Sequence, residues 1–374
     1  MTFETFELDP LVLDALREID YTKPTPIQEQ TIPIVLGGHD LIATAETGSG
    51  KTAACAIPVC SLVDVKCHKI QGLIVVPTRE LALQYATETQ KIGKVKKIST
   101  FALFGGEDMD LQRAKLKDGV HVLVATPGRL IDLIYSRQID LTGVTTLVLD
   151  EADQMLSMGF IEDLEFIMDC LVQKHQTLLF SATMPKEIQD IAVTRMNNAR
   201  EIRLISKNPT PDQLEHKFAF CKNPGKKEEE VVKLLSHLEM KQCIIFGNSR
   251  REVEKLCQQL KKRFGPMEYL HGGLTQNVRT SITSKFARGK IKFLIASDVA
   301  ARGLDFSNVT HVINLHFPHD QESYLHRSGR TGRKGAKGTC ITFVCKRELG
   351  KVKRLMHYLK RKKPDWLGAP PTEF

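Results

Sequence analysis

The densest chemistry in the chain lies in one short run, Ala45, Glu46, Thr47, Gly48, Ser49, Gly50, Lys51 and Thr52, which follows the apolar residues Leu41, Ile42 and Ala43. The order predicts a strand, a glycine turn and a helix start. Gly48 and Gly50 open backbone angles that other residues avoid, so consecutive N–H groups can converge on phosphate oxygens at the new helix N-terminus. Lys51 then reaches the β- and γ-phosphates of a nucleoside triphosphate. The Thr52 hydroxyl supplies an oxygen to a magnesium ion bridging them. An ordinary strand–turn–helix would read the same, so a second group is needed, and Leu147-Val148-Leu149-Asp150-Glu151-Ala152-Asp153 provides it. Asp150, at the end of a buried strand, would hold the magnesium through its water shell. Glu151 is the next residue and points to another side of the strand end, where it would orient and deprotonate the water attacking the γ-phosphate. The competing reading is a solvated acidic strand end or helix cap.

The elements that position these groups are written as alternation. Apolar runs at 73–76, 120–125, 147–149 and 178–180 are each followed by polar residues and then a helix-like pattern, and the same alternation resumes at 243–246, 293–296, 309–315 and 339–344. This predicts parallel sheets wrapped by helices, with ligands beyond the carboxyl ends of the strands. At 374 residues the chain is long for one core, and Ser206 to Pro211 suits a linker. The charge changes sign there: residues 1–206 hold 20 Lys and Arg against 28 Asp and Glu, whereas 207–374 hold 33 against 16. A basic second half without a phosphate loop of its own calls for a polyanion or for the acidic half. We therefore expect a first α/β lobe over 31–205, a linker at 206–211, a second lobe over 212–350 and a basic helix and loose tail over 351–374. The nine scattered cysteines form no Cys-x-x-Cys pair, which points to reduced thiols rather than a zinc or disulfide framework. The acidic start has no signal-peptide core, and no apolar run is long enough to span a bilayer, so a soluble, cytoplasmic protein is expected, nuclear or nucleolar if eukaryotic.

Asp150-Glu151-Ala152-Asp153 and its neighbours resemble the DEAD-box RNA helicases over essentially the whole chain. The resemblance implies two tandem RecA-like lobes, each a mostly parallel sheet flanked by helices, that bind ATP with Mg2+ and single-stranded or short duplex RNA. Phe3 and Tyr21 with Pro24-Thr25-Pro26-Ile27-Gln28 resemble the family's Q motif, and this resemblance assigns residues 1–30 as a Q-motif region. This implies that Tyr21 stacks on adenine and Gln28 reads its edge, although Asp20 stands where the family usually has glycine. Pro77-Thr78-Arg79, Gly105-Gly106 and Thr126-Pro127-Gly128-Arg129 are similar to the first-lobe RNA-gripping segments, which assigns Arg79, Gly105, Gly106, Thr126 and Arg129 to RNA. Ser181-Ala182-Thr183 resembles the segment that couples ATP to strand separation, relayed by hydrogen bonds to Asp153. In the second lobe the same likeness assigns Arg250, Gln276, Arg279 and Ser297 to RNA, with serine at 297 for the commoner threonine and Gly273 where an acid is frequent. Gly303 and Asp305 fall to the nucleotide, Asp305 to its ribose. In His326-Arg327-Ser328-Gly329-Arg330-Thr331-Gly332-Arg333 the resemblance makes Arg330 and Arg333 arginine fingers for the γ-phosphate. It makes His326 and Arg327 couplers to the first-lobe carboxylates and the Ser-Ala-Thr segment.

The expected activity is thus ATP-dependent remodelling of short RNA duplexes or RNA–protein complexes by a monomer that closes on ATP and RNA and releases RNA on hydrolysis, under the control of protein regulators. Two rivals remain open on the residues alone. One is an ATP-gated RNA clamp with little turnover, and the other is a DNA helicase, since backbone contacts do not distinguish the polymers.

Overall fold

The computed structural model describes residues 1–45, 48–204, 210, 213–298, 306, 308–332 and 336–372, without the side chains of residues 276 and 322. The chain forms two compact units, Met1–Ile205 and Ser206–Phe374.

In the first unit the strands are β1 Leu41–Ala45, β2 Gly72–Val75, β3 Thr100–Leu103, β4 Val122–Ala125, β5 Thr146–Leu149, β6 Gln176–Ser181 and β7 Arg200–Leu204. They lie in the order β3-β4-β2-β5-β6-β1-β7, and every described pairing is parallel. The central strands are apolar on both faces because helices cover both. Ile74, Val122, Val124, Val148 and Leu178 point into one core, while Leu73, Leu123, Leu147 and Leu179 point into the other. Each such side chain contributes about 1.5–3 kcal/mol on burial. The helices are α1 Pro10–Glu18, α2 Pro26–Leu36, α3 Lys51–Leu62, α4 Arg79–Ile92, α5 Met109–Lys117, α6 Pro127–Tyr135, α7 Ala152–Ser157, α8 Ile161–Asp169 and α9 Lys186–Arg195. Small residues along α3 (Ala53, Ala54, Cys55, Ala56), all buried, let it pack closely beneath α2 and α4.

The second unit repeats the plan with β8 Leu214–Phe220, β9 Gln242–Phe246, β10 Met267–Leu270, β11 Phe293–Ala296, β12 Val309–Asn314, β13 Gly338–Val344 and β14 Asp365–Leu367. Their order is β10-β11-β9-β12-β13-β8-β14, again parallel throughout the described pairings. Its helices are α10 Lys227–His237, α11 Arg250–Phe264, α12 Gln276–Ala287, α13 Gln321–Ser328 and α14 Leu349–Tyr358.

The end of the chain departs from expectation. The basic helix stops at Tyr358, because Lys360 turns left-handed (φ 53°) and Pro364 cannot donate a helical hydrogen bond. The supposed loose tail supplies β14, which pairs with β8 and lays Trp366 against Phe218 and Phe220 with ring centroids 5.8 and 6.4 Å apart. The expected linker lies outside the described residues except for Thr210, whose hydroxyl is 2.9 Å from His216 Nε2.

Candidate functional site

The carboxyl ends of β1, β5 and β6 gather the groups with hydrolytic chemistry. β1 ends at Ala45, and α3 begins at Lys51 behind Gly50, whose φ of 97° is closed to residues with a side chain. A Cβ there would also sit 2.9 Å from both Gln28 Nε2 and Thr25 Oγ1, whereas one on Gly48 (φ 84°) would meet open space, as a phosphate cradle needs. Lys51 Nζ is buried, donates to the Ala45 carbonyl at 3.0 Å and lies 3.9 Å from Asp150 Oδ1. Ser49 and Thr52 are half-buried at the mouth, and Glu46 and Thr47 fall outside the described residues.

Asp150 is 2 % exposed and its two oxygens are held separately. Oδ1 accepts from the Glu151 N–H at 2.8 Å, and Oδ2 accepts from the Tyr85 hydroxyl at 2.5 Å. Burial first, and the Asp150 charge second, push the Tyr85 phenol far above its usual pKa, so it stays a proton donor. Glu151 caps α7 in the left-handed region at φ 54°, a conformation that costs a non-glycine residue energy and persists at functional sites where the surrounding fold imposes it. The donor set of one aspartate and one threonine at a phosphate cradle fits magnesium, which takes few protein oxygens and keeps its waters. Among the described residues no cluster of three metal-binding side chains occurs.

Asp153 sits one turn along and ties this site to β6. Its Oδ2 accepts from Ala182 N (3.1 Å), Thr183 N (2.8 Å) and Thr183 Oγ1 (3.0 Å), while its own N–H donates to Ser181 Oγ at 3.1 Å. The hydrogen bonds expected between Asp153 and the Ser-Ala-Thr segment are therefore present.

Around the nucleotide end, Gln28 closes a capping box at the start of α2. Its Oε1 accepts from Thr25 N at 2.9 Å and its Nε2 donates to Gly50 O at 3.2 Å, so the amide reaches the phosphate turn itself. Tyr21 stacks on Phe3 at 6.4 Å, and its hydroxyl donates to Glu88 of α4. Asp20, which the resemblance leaves in doubt, adopts the left-handed conformation (φ 58°) that a glycine would take there.

The rim ahead of β2, β3 and β4 carries the basic groups of the first unit. Arg79 starts α4 behind the Thr78 cap, lies over the Phe104 ring at 4.1 Å, donates to Gly105 O at 3.4 Å and pairs with Glu107. Arg129 donates to Gln112 Oε1 at 2.6 Å and to the Glu107 carbonyl at 3.3 Å. Gly106 has φ 83°, and Thr126 caps the start of α6. Glu107 thus organises both arginines, a role nothing in the sequence suggested beyond its place directly after Gly105-Gly106.

In the second unit Arg250 starts α11 behind the Ser249 cap, and a Cβ on Gly273 would lie 3.2 Å from its guanidinium. Ser297 follows β11 with its N–H bonded to Leu270 O at 3.1 Å, and Arg279 is half-buried on α12. The Gln276 side chain, Gly303, Asp305 and Arg333 lie outside the described residues. Arg327 makes its described contacts within the second unit. It is 1 % exposed and donates bidentately to Asp298 at 2.5 and 2.6 Å and to Asn248 at 3.2 Å, above the Phe246 ring. Arg330 is 4 % exposed, with Nε donating to His326 O at 3.0 Å.

Comparison with known proteins matches this geometry. Residues 25–191 match the DEAD/DEAH box helicase model and 226–335 the helicase conserved C-terminal domain model. The DEAD-box ATP-dependent RNA helicase CshA of Bacillus cereus is 43 % identical over 372 residues, covering 100 % of this chain and 70 % of that protein. Among solved structures, S. cerevisiae Dbp5 bound to RNA and ADP BeF3 superposes with a TM-score of 0.89 at 29 % identity, over 98 % of this chain and 95 % of that one. The DEAD-box helicase Mss116 bound to ssRNA and UDP-BeF gives 0.87 at 32 % identity, over 100 % and 81 %. Two parallel seven-stranded units of this topology, with a phosphate cradle and an acidic strand end in the first, make the chain a member of the DEAD-box ATP-dependent RNA helicases, ATP-hydrolysing enzymes with two RecA-like lobes.

Proposed function

We propose that this helicase binds ATP on the phosphate turn of its first unit, grips single-stranded RNA with the basic rims of both units, and hydrolyses ATP to let the RNA go. The observation that carries the assignment of residues is the convergence of Lys51, Asp150 and Glu151 at the ends of β1 and β5, the two strands that flank β6, with Lys51 Nζ 3.9 Å from Asp150. Lys51 exchanges its Ala45 carbonyl for phosphate oxygens when ATP arrives. Asp150 and Thr52 would hold magnesium, which supplies charge neutralisation at the phosphates. Glu151 takes the proton of the attacking water, and its fixed left-handed backbone keeps the carboxylate aimed. Tyr21 and Gln28 select adenine, and Gln28 reports occupancy directly to Gly50. Arg330 and Arg333 supply positive charge to the γ-phosphate in the RNA-bound state, so RNA stimulates turnover.

On the RNA side, Arg79, Arg129, Arg250 and Arg279 neutralise phosphates, Thr126 and Ser297 donate hydroxyls, and Gly105, Gly106 and Gln276 are assigned to the RNA with them. Bending of the held strand separates a short duplex or strips a protein from it. The partners are RNA or ribonucleoprotein and protein regulators. No helix among the described residues is long and apolar enough to cross a membrane, and we assign a cytoplasmic monomer.

The test is steady-state ATP hydrolysis with no polymer, single-stranded RNA or single-stranded DNA, for the natural chain and Glu151→Gln. RNA-specific stimulation that Glu151→Gln abolishes, with ATP-dependent RNA binding retained, supports the reading. Equal stimulation by DNA refutes the RNA preference, and RNA binding without stimulated turnover replaces the enzyme by an ATP-gated clamp.

A further inference from the structure

One buried contact at the catalytic strand end is used by none of the roles above. Tyr85 lies six residues into α4, fully buried, and its hydroxyl donates to Asp150 Oδ2 at 2.5 Å with Cys55 Sγ 3.7 Å away. The position does not need a hydroxyl for packing. In the second unit α11 begins behind an equivalent strand and an equivalent hydroxyl cap, and its sixth residue onward is Leu256, which is fully buried. The residue following β12, where the carboxylate would be, is Leu315. The polar hydroxyl therefore appears only in the unit whose strand end carries the aspartate, and a buried phenol is retained at a cost unless it bonds something that matters.

The same helix makes two further contacts with the site. Arg79 begins it on the RNA-facing rim, and Glu88, one turn beyond Tyr85, accepts from the Tyr21 hydroxyl. A single rigid element thus carries the RNA arginine, the partner of Asp150 and the partner of the adenine aromatic.

We propose that Tyr85 is a positioning residue for Asp150: its hydroxyl fixes one carboxylate oxygen, leaves the outward lone pairs of the carboxylate for magnesium, and links that carboxylate through α4 to the RNA rim at Arg79. Asp150 stays hydrogen-bonded to Glu151 N when the hydroxyl is removed, so the carboxylate becomes loose rather than unpartnered. The consequence is weaker metal-dependent nucleotide binding, in the manner of outer-shell partners of metal ligands. The proposal rests on the reading of Asp150 as the magnesium carboxylate, and the test separates the two.

The experiment titrates Mg2+ into full-length protein with a fluorescent ADP analogue and reads the midpoint of nucleotide binding, with thermal unfolding and single-stranded RNA binding measured alongside. Variants are Tyr85→Phe, Tyr85→Leu and Asp150→Asn. Removing only the hydroxyl in Tyr85→Phe is expected to raise the Mg2+ midpoint about tenfold, while RNA affinity without nucleotide stays put and the unfolding midpoint falls by no more than the loss of one buried hydrogen bond. Tyr85→Leu shifts the Mg2+ midpoint equally. In the Asp150→Asn background Tyr85→Phe adds nothing, because the acceptor it positions is already impaired. A Mg2+ midpoint in Tyr85→Phe equal to the natural one, with Tyr85→Leu alone defective, makes Tyr85 a packing residue and overturns the proposal. If Asp150→Asn itself leaves the Mg2+ midpoint unmoved, the assignment of Asp150 falls and this proposal with it.

Discussion

The two units are one sheet plan used twice, since the second order becomes the first when counted from β8. Comparing strand ends place by place separates what is duplicated from what is not. After the second strand stand Thr78-Arg79 and Ser249-Arg250, each a hydroxyl cap followed by an arginine that opens a helix. After the fourth stand Thr126 and Ser297, and after the third the pairs Gly105-Gly106 and Gly272-Gly273. After the first strand the correspondence stops: the phosphate turn and Lys51 face a 3-10 turn, Pro224–Lys226, capped by Asn223 Oδ1 on Gly225 N at 3.0 Å. After the fifth, Asp150-Glu151 face Leu315-His316. Of the proposed RNA contacts, the cap arginines, the glycine pairs and the hydroxyls recur in both units, whereas Arg129, Gln276 and Arg279 and the hydrolytic groups each occur once. A grip on a repeating backbone profits from being doubled, and a single γ-phosphate needs one set of catalytic groups and a complementary charge.

That division is broken most severely through the complementary charge. Arg330→Ala is expected to lower RNA-stimulated kcat by about 10³, read by steady-state hydrolysis at saturating RNA. Because Arg330 is 4 % exposed, Arg330→Lys keeps the charge, and retention of the natural unfolding midpoint in either variant shows that the loss is chemical. Lys226→Ala, in the turn that replaces the phosphate loop, leaves hydrolysis unchanged. Full stimulation in Arg330→Ala, or a hydrolysis defect in Lys226→Ala, contradicts the division of roles.

Acid sharpens the comparison next. His216 is buried between the Tyr324 hydroxyl at 2.7 Å and the Thr210 hydroxyl at 2.9 Å, and burial, then the Arg361 charge, lower its pKa to about 3. The unfolded chain takes up this proton near pH 6.5 and the folded one only near 3. The stability it secures is therefore complete above pH 6.5 and falls as pH drops through that window, by up to about 1.4 kcal/mol per pH unit. In the first unit burial lowers His121 as well. The chain has one tryptophan, Trp366, and it packs beside β8 in the second unit. Its fluorescence should therefore show the second unit's urea midpoint falling steeply between pH 6.5 and 4, and His216→Phe should flatten that slope. A slope unaltered in His216→Phe rules this histidine out as its source.

The doubled grip predicts matched effects of intermediate size. Arg79→Ala and Arg250→Ala should each weaken single-stranded RNA binding about tenfold and lower the salt dependence by about one phosphate contact, measured by fluorescence anisotropy across salt. The two are unlike in one respect: Arg79 pairs with Glu107, whereas no carboxylate is described beside Arg250. Glu107→Gln should accordingly tighten RNA binding a few-fold, and Gly273→Asp should loosen it by giving Arg250 the acid it lacks. If Glu107→Gln weakens binding instead, the glutamate presents Arg79 to RNA rather than competing for it.

The parts of this arrangement visible in the sequence were those written locally. Central strands buried on both faces read as unbroken apolar runs, and the glycine turn, the Asp-Glu pair and the arginine run each declare themselves within a few residues. Strands at or next to a sheet edge did not. β7 is largely exposed and charged, β8 alternates buried and open positions, and β14 has only Trp366 to mark it behind Pro364. Contacts between distant segments were equally silent. Tyr85 reads as one more apolar position of an amphipathic helix, because the carboxylate it meets is 65 residues away. Arg327 reads as one arginine among several until the fold buries it against Asp298.

The smallest predicted effect concerns a residue type rather than a contact. Asp20 joins α1 to Tyr21, the proposed adenine aromatic, in a left-handed conformation, φ 58°, which aspartate tolerates better than most residues but glycine adopts without penalty. The second unit offers the contrast in Gly265, which carries φ 80° directly after α11 and has open space around it. Asp20→Gly should relieve the strain and give back part of the gain as extra entropy of the unfolded chain, a net stabilisation of about 0.5 kcal/mol or less. Gly265→Asp should cost about 1 kcal/mol. Both are read as shifts of the urea midpoint. Because Tyr21 stays stacked on Phe3 and bonded to Glu88 in either variant, ATP affinity should not move with Asp20→Gly. A clear loss of ATP affinity in that variant would mean that Asp20 holds Tyr21 in place by more than its backbone.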